Sequence, residues 1–135
     1  MTGSHRANLR ILIVDSIPTT RRVVKTLFRQ SGYRTFVEAG DTDTALDALK
    51  NGDIDLIVSD SLEDDAGLLL LKGVQKHPQY RDIPFLMVTS DSKEESVART
   101  VKGSRVNLIV KPFTGKALSE KIDSLLASGD KKKAG

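Results

Sequence analysis

The chain has 135 residues, no cysteine, 39% hydrophobic and 29% charged residues, and a formal net charge of +3. That length suits one domain with a single core, and the lack of cysteine excludes disulfides and thiolate metal sites. No run approaches the roughly 20 apolar residues of a membrane span, and no segment resembles a secretory signal. The charge sits largely at the ends, in Arg6, Arg10 and the Lys131-Lys132-Lys133 run, so nucleic-acid binding is not implied.

Residues 1–8 form a polar arm, in which Gly3-Ser4-His5 resembles an expression-vector scar. Ile11-Leu12-Ile13-Val14 reads as a strand apolar at every position and stops on Asp15. Pro18 suits the first turn of a helix. Val23, Val24, Leu27 and Phe28 follow at helical spacing, with Arg21, Arg22, Lys25 and Arg29 mostly on the opposite face. Ser31-Gly32 ends that helix. Thr35-Phe36-Val37 is a short strand, and 41–50 is a helix stopped by Asn51-Gly52.

Leu56-Ile57-Val58 is the third strand, again apolar throughout, and its run ends on Asp60. Glu63-Asp64-Asp65 forms an acidic loop. The helix over 67–76 carries four consecutive leucines, Leu68 to Leu71, more than one buried face needs, which leaves Leu69 outside. Phe85-Leu86-Met87-Val88 is the fourth strand, ending on Thr89-Ser90. A weakly apolar helix covers 93–102. Leu108-Ile109-Val110 is the fifth strand, ending on Lys111-Pro112, and Ala117, Leu118, Ile122, Leu125 and Leu126 mark a last amphipathic helix. The domain spans 9–127, and 128–135 reads as a basic disordered tail.

Five strands alternate with five helices over short connections, the pattern of a doubly wound α/β parallel sheet. The C-terminal ends of parallel strands share one edge, so Asp15, Asp60, Thr89 and Lys111 can converge there. Two carboxylates, a hydroxyl and an ammonium suit a phosphoryl group. One carboxylate can act as nucleophile and another can help hold a divalent cation, while the hydroxyl and the ammonium contact phosphoryl oxygens.

In order along the chain, Ile-Val-Asp15, Val-Ser-Asp60, Met-Val-Thr89-Ser90 and Val-Lys111-Pro112-Phe113 resemble the receiver domain of two-component response regulators, the CheY family, over roughly 9–127. The resemblance implies a flavodoxin-like (βα)5 fold with strand order 2-1-3-4-5. It implies that Asp60 accepts a phosphoryl group from a histidine kinase or phosphotransfer protein, and that Thr89 and Lys111 sense it. Mg²⁺ is implied at Asp15, Asp60 and the backbone carbonyl of Leu62, and a cis bond at Lys111–Pro112. A downstream protein partner is implied on the face of the 93–102 helix, the fifth strand and the last helix. The expected protein is cytoplasmic, touches neither nucleic acid nor membrane, and is not an enzyme beyond slow autophosphorylation and autodephosphorylation.

Three departures from the family pattern stand out. Ser16 replaces the second of two adjacent acids, which should weaken Mg²⁺ binding unless Glu63 or Asp64 substitutes. The loop after Asp60 lacks the family's Met-Pro and is one residue shorter. Leu108 occupies the usual switch-aromatic position and would make the partner face more apolar. These departures motivate an alternative reading as a degenerate receiver, a phosphorylation-independent interaction module. An aspartyl-nucleophile hydrolase would want an acid at Leu62, and a flavodoxin-type flavin site would want more hydroxyls than Ser16-Ile17-Pro18-Thr19-Thr20 supplies.

Overall fold

The computed structural model describes residues 7–60, 66–89 and 106–134, with 127–134 as helix backbone. The strands are β1 (Arg10–Val14), β2 (Thr35–Ala39), β3 (Leu56–Asp60), β4 (Phe85–Thr89) and β5 (Val106–Val110). The described helices are α1 (Pro18–Gln30), α2 (Thr42–Lys50), α3 (Ala66–Lys76) and α4 (Gly115–Ala134). The helix expected over 93–102 lies outside the described residues. The last helix continues past the domain boundary expected at 127, through the basic stretch.

The strands form one sheet in the order β2-β1-β3-β4-β5, and every neighbouring pair is parallel. Side chains alternate between the two faces along a strand, so each apolar strand feeds two core layers. Leu12, Val14, Ile57, Phe85 and Met87 pack on one face with Ala45 and Leu49 of α2 and Leu70, Leu71 and Val74 of α3. Ile11, Ile13, Leu56, Val58, Leu86, Val88 and Ile109 pack on the other with Val24 and Phe28 of α1 and Leu118, Ile122 and Leu125 of α4. Burial on both faces is why these strands are apolar at consecutive positions rather than alternating. Leu69 is left 60% exposed, as its place among the four leucines suggests.

Local chemistry sets the element ends. Pro18 stands at the first turn of α1, whose N-cap residue Ile17 provides no side-chain cap. At the other end Gly32 adopts φ 100°, a region that only glycine enters cheaply. The N–H groups of Gly32 and Tyr33 then close onto Arg29 O and Phe28 O, which satisfies carbonyls left open by the end of α1. Asp41 caps α2 by accepting the Thr44 N–H at 2.8 Å, and Thr114 caps α4 through Ala117 N–H at 3.0 Å. These stops keep the connections short and bring the C-terminal strand ends to one rim.

Leu108 does not join an outer face as the sequence suggested. It is 8% exposed and belongs to the core layer of Leu12 and Met87, because a leucine at this inward register is short enough to stay within the layer. Val110, two positions further along, is 41% exposed.

Candidate functional site at the C-terminal rim

Asp60 is the last residue of β3, where its backbone pairs with Val88 of β4. Thr89 follows Val88 and is fully buried; it pairs with Val110 of β5. The Lys111 N–H then donates to Thr89 O at 2.7 Å. That bond turns the chain just beyond β5, and the Lys111–Pro112 peptide is cis, as the resemblance implies. From there the Lys111 side chain reaches back across β4, and its Nζ donates to Asp60 Oδ1 at 2.6 Å. Residues 51 positions apart thus meet as a charge-assisted pair, with side chains 36% and 18% exposed.

Asp15 follows β1, the strand beside β3, and is only 4% exposed. Its Oδ1 accepts the Ile17 N–H at 2.9 Å. The first acid therefore does take part in the turn that starts α1, but its carboxylate also lies within electrostatic reach of Asp60 and Lys111. Burial pushes the Asp15 carboxyl above its ordinary value. The Ile17 N–H opposes that shift, the negative charge of Asp60 reinforces it, and Lys111 and Arg21 act with the Ile17 bond. A desolvated carboxylate beside a second one attracts a cation.

Asp15, Asp60, Thr89 and Lys111 thus come from the ends of β1, β3, β4 and β5 onto one rim, as their strand-end positions suggested. Ser16 is exposed beside Asp15. Leu62, Glu63, Asp64 and Ser90 lie outside the described residues.

Two charged residues near this rim depart from the helical pattern. Periodicity places Arg21 and Lys25 mostly on the solvent face of α1, yet their side chains are only 18% and 21% exposed and both bind Glu38 of β2. Arg21 Nη1 also donates to the carbonyl of Asp15. The helix periodicity could not show this, because the partner lies on the edge strand, and only the i, i+4 spacing of Arg21 and Lys25 hinted at a shared acid.

A parallel order of 2-1-3-4-5 with polar residues gathered at its carboxyl edge defines a flavodoxin-like α/β protein whose site lies at the strand ends. The response regulator receiver domain family matches residues 11–123, and this chain belongs to it, placing it in two-component phosphorelay signalling. The chain is 40% identical over 119 residues to chemotaxis protein CheY-3 of Vibrio cholerae, covering 87% of this chain and 92% of that protein. It is 36% identical over 118 residues to chemotaxis protein CheY of Pseudomonas aeruginosa, covering 87% and 95%. Among solved structures, chemotaxis response regulator CheY4 of Vibrio cholerae superposes with a TM-score of 0.74 at 26% identity over 87% of this chain and 98% of that one. Among the described residues no helix is long and apolar enough to cross a membrane.

Proposed function

We propose that Asp60 is the phosphoacceptor of this receiver domain and that Lys111 and Thr89 receive the phosphoryl group. The observation that carries this reading is the Lys111 ammonium held on Asp60 Oδ1 beside the buried Asp15 carboxylate. An Asp60 carboxylate oxygen attacks the phosphorus of a phosphohistidine. The new O–P bond forms as the P–N bond breaks, and the departing imidazole nitrogen keeps the electron pair and takes a proton. The Lys111 ammonium leaves the carboxylate for a phosphoryl oxygen, and the Thr89 hydroxyl donates to another. Water later cleaves the acyl phosphate and restores Asp60, so the domain behaves as a slow self-resetting switch rather than a turnover enzyme.

The paired acids suit a hard divalent cation with oxygen ligands. Asp15 and Asp60 would hold Mg²⁺, together with the Leu62 carbonyl. When bound, the metal supplies Lewis-acid neutralisation of the phosphoryl oxygens. Ser16, in place of an acid beside Asp15, should weaken the affinity for that cation. The donor is a histidine kinase or phosphotransfer protein in the cytoplasm. The downstream partner binds where β5 meets α4. A shallow groove of about 290 Å³ lies on this face, lined by Asn107, Ala117, Glu120, Lys121 and Ser124.

Incubation with acetyl phosphate and Mg²⁺ tests the chemistry. The expected product is a single alkali-labile phosphoprotein, absent in Asp60→Asn. Labelling that survives Asp60→Asn, or no labelling of the wild type at saturating acetyl phosphate, overturns it.

A further inference from the structure

The residue that follows β1 is held on three sides. The Asp15 N–H donates to Ala39 O at 3.0 Å, and its Oδ1 takes the Ile17 N–H at 2.9 Å. Its carbonyl takes Arg21 Nη1. Arg21 is itself braced, because its Nε donates to Glu38 Oε1 at 3.0 Å. Glu38 stands on β2 opposite Ile13, one residue before the Ala39 that pairs with Val14. Lys25 Nζ fixes the second Glu38 oxygen at 2.8 Å and, with Arg21, draws the Glu38 carboxyl below its ordinary value, the Lys25 bond being the largest cause.

This arrangement costs solvation. A surface arginine on a helix normally keeps its head in water, yet Arg21 is 18% exposed. The planar guanidinium offers several donors in fixed directions, so one side chain spans a backbone carbonyl and a carboxylate together. A lysine is a single point charge and lacks that fork. The consequence falls on Asp15, the described acid beside Asp60, with neutral Ser16 next to it.

We propose that Arg21 is a positioning residue of the phosphoacceptor site. Braced by Glu38, its guanidinium locks the Asp15 backbone and so aims the buried carboxylate at the rim shared with Asp60. The inference rests on the reading of Asp15 and Asp60 given above. A purely electrostatic role has the opposite signature. Removing a positive charge near a cation site would tighten Mg²⁺ binding, whereas losing the clamp weakens it.

The test uses the full chain and two readouts: calorimetric titration with Mg²⁺, and amide hydrogen exchange of the metal-free protein. In Arg21→Gln the Mg²⁺ affinity should fall about tenfold, the scale seen when residues orienting a metal ligand are removed. The Asp15 and Ile17 amides should exchange at least about tenfold faster while Leu86 and Met87 of β4 stay protected. Arg21→Lys should not rescue either readout. Glu38→Gln should move both in the same direction by less, and the double variant should be no worse than Arg21→Gln alone. Lys25→Gln, which leaves the Arg21–Glu38 pair intact, should change Mg²⁺ affinity less than about twofold.

Tighter Mg²⁺ binding in Arg21→Gln, full rescue by Arg21→Lys, or unchanged exchange at Asp15 and Ile17 overturns the inference. A wild type that binds no Mg²⁺ and takes no phosphoryl group, yet loses Asp15 and Ile17 protection in Arg21→Gln, overturns the phosphoacceptor reading and leaves the clamp standing.

Discussion

Neutralising Asp15 should stabilise the metal-free fold. Asp15 is 4% exposed as a residue and its carboxylate feels the charge of Asp60. Burial and that like charge outweigh the Ile17 N–H, Lys111 and Arg21, so its pKa lies above the ordinary 3.8. An acid with a raised folded-state pKa binds its proton more tightly when folded. Its penalty is therefore absent well below pH 3.8, grows as the pH rises through the raised value, and is fully present at neutral pH.

Asp15→Asn keeps an oxygen for the Ile17 N–H but loses the charge-assisted part of that bond, which costs about 0.5 kcal/mol. The expected outcome at pH 7 is a net gain in stability and a higher Tm, because removing the buried charge relieves the penalty that raises the Asp15 carboxyl. Urea unfolding of wild type and Asp15→Asn without divalent metal, at pH 7 and again near pH 3, measures it. The gain should vanish at the acid end. Mg²⁺ should raise the stability of the wild type and not of the variant, by ligand linkage. A variant less stable than wild type at pH 7, or a gain independent of pH, refutes the reasoning.

Other outcomes follow from the same geometry. Ser16→Asp places an acid beside Asp15 and should tighten Mg²⁺ about tenfold, or about 1.4 kcal/mol, by calorimetry. Lys111→Met removes the ammonium from Asp60; because Lys111 is 36% exposed, stability should fall by only about 1 kcal/mol. Labelling by acetyl phosphate should slow at least about tenfold through loss of a donor to the phosphoryl oxygens, as followed by phosphoprotein gel shift. Leu108→Ala opens a void in a packed layer and should cost about 2–3 kcal/mol in urea unfolding. Leu69→Ala, at a 60% exposed position, should stay within about 0.5 kcal/mol.

The legible parts of this protein are those written in short-range pattern. Strands apolar on consecutive residues, Pro18 at a helix start, and glycine at a helix end state local preferences that the tertiary fold only ratifies. The carboxyl-edge site is legible for a related reason. In a parallel sheet every strand end lies on one rim, so Asp15, Asp60, Thr89 and Lys111 can be placed together before any distance is known.

Edge partners and inward registers are not legible. Arg21 and Lys25 look like solvated helix charges until β2 is laid against β1 and brings Glu38 beside them. Leu108 looks like part of a docking face until the β4–β5 register aligns it with Met87.

By itself, the sequence determined the class of fold and set Asp15, Asp60, Thr89 and Lys111 at one sheet edge, because both depend on periodicity and on the order of residues at strand ends. Tertiary structure alone decided which charges brace the acids and how deeply they lie. Those depend on strand register and on distances between segments remote in the chain, where water is excluded and a few ångströms change the sign of an electrostatic effect.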